Sequence, residues 1–181
     1  MNRRVWSVGV VVVLSTAALA AQGAPNLIGT WTVDRDKTAA ANPPPAGGGA
    51  RRGGSMSVGG VGAVGGGGAA PPQWVITQTA AALTIVRQLP DGSAQKFVYA
   101  LDGTESVNVN GRTTQKTKST VAGGKILTTG TQIISTDSGE VTSQLKETRW
   151  LEKDGAMFVE TTRTVEGTGS RTTTQVFAKA K

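Results

Sequence analysis

The sequence predicts an all-β protein: an antiparallel up-and-down meander of about nine to ten strands that closes into a barrel. Three observations carry that expectation. From Trp74 to the C-terminus, short runs of Val, Ile, Thr, Tyr and Phe recur at regular intervals, and β-branched and aromatic residues suit a pleated surface. Between the runs stand turn signals, among them Asp-Gly and Asn-Gly pairs, which tolerate positive φ and favour tight hairpins. Beyond the first residues of the chain, no segment sustains a 3.6-residue period except one turn at 34–40. A meander this long leaves two vulnerable edges unless it curls and closes. A single barrel is therefore expected first, and a two-sheet β-sandwich is the alternative.

In chain order, the first segment is "MNRRVWSVGVVVVLSTAALAA". Arg3 and Arg4 make a positive start, Val8 to Leu19 a mostly apolar middle, and Ala18-Leu19-Ala20 a small-x-small end. This pattern predicts a signal peptide at 1–21, hence an exported protein, periplasmic or extracellular. Residues 22–181 are expected to form one domain. No cysteine occurs, so stability must come from a packed core and backbone pairing. The formal net charge is +7, spread along the chain and densest at Arg51-Arg52 and at Lys116 and Lys118. Such a charge is expected first to serve ordinary solubility, and second to lean toward anionic partners such as lipid headgroups or polyanions.

The first strand is expected at Leu27–Val33. Residues 39–72 follow, rich in Gly, Ala and Pro. They offer few side chains to bury, and glycine has the most backbone entropy to lose on ordering, so they read as a flexible insert. The insert has no Gly-Lys-Ser/Thr and no strand-to-helix context, which excludes a phosphate-binding loop. The remaining strands are expected at 74–79, 82–88, 95–101, 106–110, 112–121, 125–135, 141–151, 156–165 and 171–178. "LPDGS", "LDGTE", "NG", "AGG", "STDSG", "EKDG" and "EGTGS" are the connections.

Side chains alternate between the faces of a strand. One face carries Leu83, Ile85 and Arg87; another carries Phe97, Tyr99 and Leu101. A third carries Val141, Leu145, Glu147, Arg149 and Leu151. A fourth carries Met157, Val159, Thr161, Arg163 and Val165. These apolar sets should face inward and carry Arg87, Glu147, Arg149 and Arg163 with them. The competing register of 141–151 turns Trp150 inward instead.

Gly29-Thr30-Trp31 resembles the Gly-x-Trp that opens lipocalins and their calycin relatives. The resemblance implies a lipocalin-like barrel whose closed end is plugged by Trp31. It also implies that an arginine from a late strand packs across that ring: Arg149, Arg163 or Arg171. "YALDG" at 99–103 does not match the family's second signature turn. The layout also resembles a loose group of exported bacterial proteins of uncharacterised role, through "GTW", "TVDRDKT", a Pro-rich spacer, repeated "DG" turns and a closing "QVFAKA".

The chain has no histidine and no cysteine. That excludes Ser-His-Asp and Cys-His triads, histidine metal sites and thiolate zinc sites. Glu147 and Glu160 face inward only in different registers, so they make no glycosidase pair. Asp137 and Glu140 lack the ligand spacing of a calcium loop. The expectation is therefore a protein that is not an enzyme and uses no metal or cofactor. It binds a small hydrophobic or amphipathic ligand against Phe97, Tyr99, Met157 and Val159, with Arg87 or Arg163 meeting an acidic headgroup. The alternative is a cell-envelope structural or interaction protein that uses the Gly-rich insert and the basic surface. No nucleic acid partner and no membrane span after leader removal are expected.

Overall fold

A computed structural model describes residues 23–43, 73–89 and 91–180. The expected signal peptide and residues 44–72 of the expected insert lie outside the described residues. Ten strands and one short helix are present: β1 (Gly29–Val33), α1 (Arg35–Ala41), β2 (Gln73–Gln78), β3 (Ala82–Gln88), β4 (Ala94–Ala100), β5 (Asp102–Asn110), β6 (Thr113–Ala122), β7 (Lys125–Thr136), β8 (Gly139–Leu151), β9 (Met157–Val165) and β10 (Gly169–Lys179). They form one sheet in the order β4-β3-β2-β1-β10-β9-β8-β7-β6-β5. Every pairing is antiparallel, and the first strand pairs with the last. The sheet thus curls into the nearly closed barrel expected from the meander, not into a sandwich.

The turn expected near residue 34 is α1. Asp34 caps it by accepting from the Lys37 amide at 3.0 Å, and the helix takes in Ala39–Ala41. "LDGTE" is less of a loop than its composition implies. Strand β5 begins inside it, at Asp102, and its pairing with β6 shifts register between Asp102 and Glu105. Such a bulge absorbs the extra residue and bends the strand.

Period-two alternation sorts the side chains as expected. Leu145, Glu147 and Arg149 of β8 are buried, and Trp150 lies on the outer face against Phe158, with ring centroids 5.4 Å apart. The apolar core gathers around Leu27, Trp31, Ile76, Leu83, Ile85 and Met157, all almost fully buried. Trp31 satisfies its indole N–H by donating to the Leu27 carbonyl at 2.8 Å, which removes the main cost of burying an indole. The cation across its ring is a correction to the expectation of an arginine. Lys179 of β10 lies over Trp31, 5.7 Å from the ring centroid, while Arg149 lies on Tyr99 and Arg171 is exposed. Trp31 and Lys179 are direct cross-strand partners, so the end of the last strand supplies the charge. Gly29 makes room for it: a Cβ there would stand 2.6 Å from Lys179 Cε, and its φ is +140°.

The barrel's two end strands, β4 and β5, meet without a backbone ladder. Side chains of β5 take the ladder's place. The Val98 amide donates to Asn108 Oδ1 at 2.7 Å, and Asn108 Nδ2 donates to the Val98 carbonyl at 2.9 Å. Asn110 does the same for the Lys96 amide and carbonyl, at 3.2 and 3.0 Å. Ser106 Oγ accepts from the Ala100 amide at 2.8 Å. A carboxamide offers the donor and acceptor of a peptide group, so each asparagine stands in for one rung. The same substitution recurs where β1 ends beside β10. Asn42 accepts from the Thr174 amide at 2.9 Å and donates to its carbonyl at 2.6 Å, and Thr38 Oγ1 serves the Val176 amide and carbonyl.

Replacing Asn108 with Ala strips both Val98 backbone groups of their partners. The expected loss is about 1–2 kcal/mol of folding free energy, measured by urea denaturation. Val107→Ala on the neighbouring exposed position serves as the control and should stay within about 0.5 kcal/mol of the parent. Equal stability of the two variants would remove the asparagine rung from the account.

Candidate functional site

Inside the barrel, strands β6 to β9 bring polar side chains to the wall opposite the apolar strands β1 to β4. Glu147 and Arg149 share the inward face of β8. Arg149 is fully buried, and its guanidinium makes an ion pair with Glu147 through Nη2. Its Nη1 donates to Thr128 Oγ1 of β7 at 3.1 Å, and the group lies over the Tyr99 ring, 4.6 Å from the centroid. The second Glu147 oxygen accepts from Thr161 Oγ1 of β9 at 3.3 Å. Ser119 of β6 completes the chain with a 2.8 Å hydroxyl contact to Thr128.

Arg87 enters from the opposite wall. Its guanidinium is held between two aromatic faces, 4.3 Å from the Trp74 centroid and 4.4 Å from that of Phe97. The strand registers explain this. Trp74 is the cross-strand partner of Arg87 on β2, and Phe97 lies one pleat along on β4. Burial lowers the Arg87 pKa from its usual value, with the nearby Arg149 adding to the effect and Glu147 opposing it. Among the described residues Arg87 makes no ion pair; the two ring faces and the field of Glu147 offset part of its lost hydration. Arg163 lies further along β9, opposite Leu145. Burial lowers its pKa too, while Glu147 raises it.

Among the described residues the interior carries three guanidinium groups and one carboxylate in mutual electrostatic reach. Among the described residues, Arg87 Nε and Arg149 Nε are buried donors with no hydrogen-bond partner, and Gln115 Oε1, Thr117 Oγ1 and Gln132 Oε1 are buried oxygens in the same position. Buried polar atoms are ordinarily satisfied by protein or water, so these atoms, on both walls, keep capacity for polar contacts that the described side chains do not supply.

Of the residues singled out from the sequence, Arg163 lies along β9 opposite Leu145 and the other five divide into three places. Arg87, Phe97 and Tyr99 come together, facing the Arg149–Glu147 pair. Val159 is the cross-strand partner of Arg149. Met157 lies one pleat deeper, beside Leu151 and Phe177, packed in the core around Trp31. Sequence reasoning placed Glu147 and Arg149 on an inward face without making them the centre of the site. The signal was present in their shared period with Leu145 and Leu151. Trp74 as a lid on Arg87 was missed, because cross-strand register is needed to bring the two together.

The sequence matches no protein-family model and none of the curated proteins. Solved structures align with it. A secretory abundant heat soluble (SAHS) protein from Ramazzottius varieornatus aligns with a TM-score of 0.50 at 16% identity, over 87% of this chain and 98% of that one. The zebrafish ileal bile acid-binding protein, solved with cholic acid, aligns with a TM-score of 0.46 at 17% identity, over 61% of this chain and 73% of that one. At 16% identity the likeness to the SAHS protein is one of fold alone, an antiparallel β-barrel.

Tyr99 is the one tyrosine of the chain, so its ionisation is directly readable. Burial pushes its phenol pKa up, and Arg149 pulls only partly against that. A raised acid pKa means that the folded state holds the proton longer than the unfolded state. The resulting stability is complete below the unfolded value near 10 and is lost as pH rises through the native value. Phenolate absorbance should therefore appear only above pH 10, together with loss of the folded signal. Reversible titration of the folded protein at or below pH 10 would contradict this burial.

Proposed function

We propose that this chain is an exported, non-enzymatic barrel that binds a small amphipathic molecule with an anionic headgroup. The single observation behind the reading is the interior excess of positive charge, with the Nε donors of Arg87 and Arg149 buried and unanswered. A carboxylate or similar oxyanion offers acceptors for guanidinium N–H groups in matching geometry. Between two desolvated cations it is worth more than in water. The ligand's apolar part would lie against Phe97, Tyr99 and Val159, while Met157 backs that wall from the core and Arg163 widens the positive field. Export rests on the leader read at 1–21. The inward carboxylate Glu147 is engaged by Arg149 and Thr161, which fits a positioning partner better than a free base. Among the described residues no helix is long and apolar enough to cross a membrane.

Isothermal titration with dodecanoate, dodecanol and dodecyltrimethylammonium tests the reading. Dodecanoate should bind at least about tenfold tighter than the alcohol, a difference of about 1.4 kcal/mol, and the cation should not bind measurably. Arg87→Met keeps the stack between Trp74 and Phe97 filled and should erase the preference for the acid. Equal binding of all three amphiphiles, or of none, would overturn the proposal.

A further inference from the structure

The outer face of the barrel carries a feature that ligand binding does not use. On β4 and β5, three of the side chains that point outward beside the asparagine seam are valines. Val98, Val107 and Val109 are 40%, 56% and 66% exposed. Asn108 bonds both backbone groups of Val98, so Val107 and Val109, its neighbours along β5, flank Val98 across the seam. Lysines border this strip on both sides. Lys96 lies next to Val98 on β4, and Lys116 and Lys118 face outward on β6, all three exposed. Lys116 is the direct partner of Val107, and Lys118 that of Glu105. Glu105 is the acid inside the patch, and Asp102 lies at its end, opposite Thr120.

We propose that this face docks on the surface of an anionic lipid bilayer. The chemistry favours a membrane over a folded protein partner. Protein-binding hot spots are rich in Trp, Tyr and Arg, and valine is under-represented among them; this patch has none of the three. A lysine has a long apolar stem and a hydrated ammonium, so it lies along apolar surface while its charge reaches outward. Three such lysines around a shallow apolar strip match the headgroup layer of an anionic leaflet, where each basic residue adds an increment of attraction. The strip itself contributes by burying valine surface at the interface. Arg171, on β10 at the opposite side of the sheet order, is exposed and is predicted to play no part.

The test is co-sedimentation of the full chain with vesicles of phosphatidylcholine alone and of phosphatidylcholine mixed with phosphatidylglycerol. The parent should partition onto the anionic vesicles and not onto the neutral ones. Replacing Lys96, Lys116 and Lys118 with Gln, singly and together, should weaken partitioning about fivefold per lysine. Arg171→Gln, which removes the same charge elsewhere, should leave it unchanged, and any contribution of residues 1–21 is common to all variants. Val107→Ser with Val109→Ser should weaken the binding that persists in high salt. A lysine triple variant that binds like Arg171→Gln would overturn the proposal. So would anionic binding matched by a soluble polyanion such as heparin and indifferent to the valine changes, which would instead mark a polyanion surface.

Discussion

Closure of the sheet between β4 and β5 is the constraint on which the interior depends. Ten strands curl far enough to bring the two ends face to face, but not into direct backbone pairing. Open edges of this length would expose donors and acceptors to other chains. Asn108 and Asn110 answer that problem from within, by giving Lys96 and Val98 side-chain amides in place of a neighbouring strand. Asparagine is a poor strand residue by intrinsic preference. Its presence at alternate positions is understandable only as a replacement for peptide groups. Asn42 repeats the device beside β10, where the short first strand gives out and α1 takes over.

A closed wall is what makes the buried charges meaningful. A guanidinium removed from water costs several kcal/mol unless it is paired. Arg149 meets that cost with Glu147, Thr128 and the face of Tyr99. Arg87 has a thinner set of compensations, two aromatic faces worth about 2 kcal/mol when desolvated, and no carboxylate of its own. The two arginines therefore differ in role. One stabilises a polar layer that is nearly self-contained, while the other holds charge in reserve on an apolar wall. The anionic ligand proposed above would complete the balance that the protein leaves open, which ties the proposed function to the packing of Trp74 and Phe97. The outer lysines act on a separate side of the same wall and at longer range, where salt screens them.

Much of this architecture is legible in the residues. Asp-Gly and Asn-Gly pairs and Thr-rich runs mark most strands within two residues of their ends. The period-two sets of β3, β4, β8 and β9 put Arg87, Tyr99, Glu147 and Arg149 on the inner face before any coordinates are known. Three features escaped for physical reasons. "SVNVN" looks like a strand running into a turn, because the value of an inward asparagine depends on which strand lies across the seam. Lys179 over Trp31 comes from register between the first and last strands, the longest-range pairing in the chain, and family resemblance points to arginine instead. The meeting of Arg87 with Trp74 needs the β2–β3 register, which hinges on how residues 79–81, without a Gly, Asn or Pro signal, make the turn. The relation of Met157 to the site is also a matter of depth along the barrel axis, and alternation reports the face of a residue but not its layer.

Amide hydrogen exchange at Lys96 and Val98, read residue by residue by NMR, tests the central claim most directly. Both amides lie at the edge of the sheet and face no backbone carbonyl across the seam. The account predicts slow exchange for both, comparable to the backbone-paired amides of β3 and β4. Exchange at both sites near the rate of an unstructured chain would mean that the asparagine rungs do not hold. The sheet would then be open, and the interior on which the binding proposal rests would be lost with it.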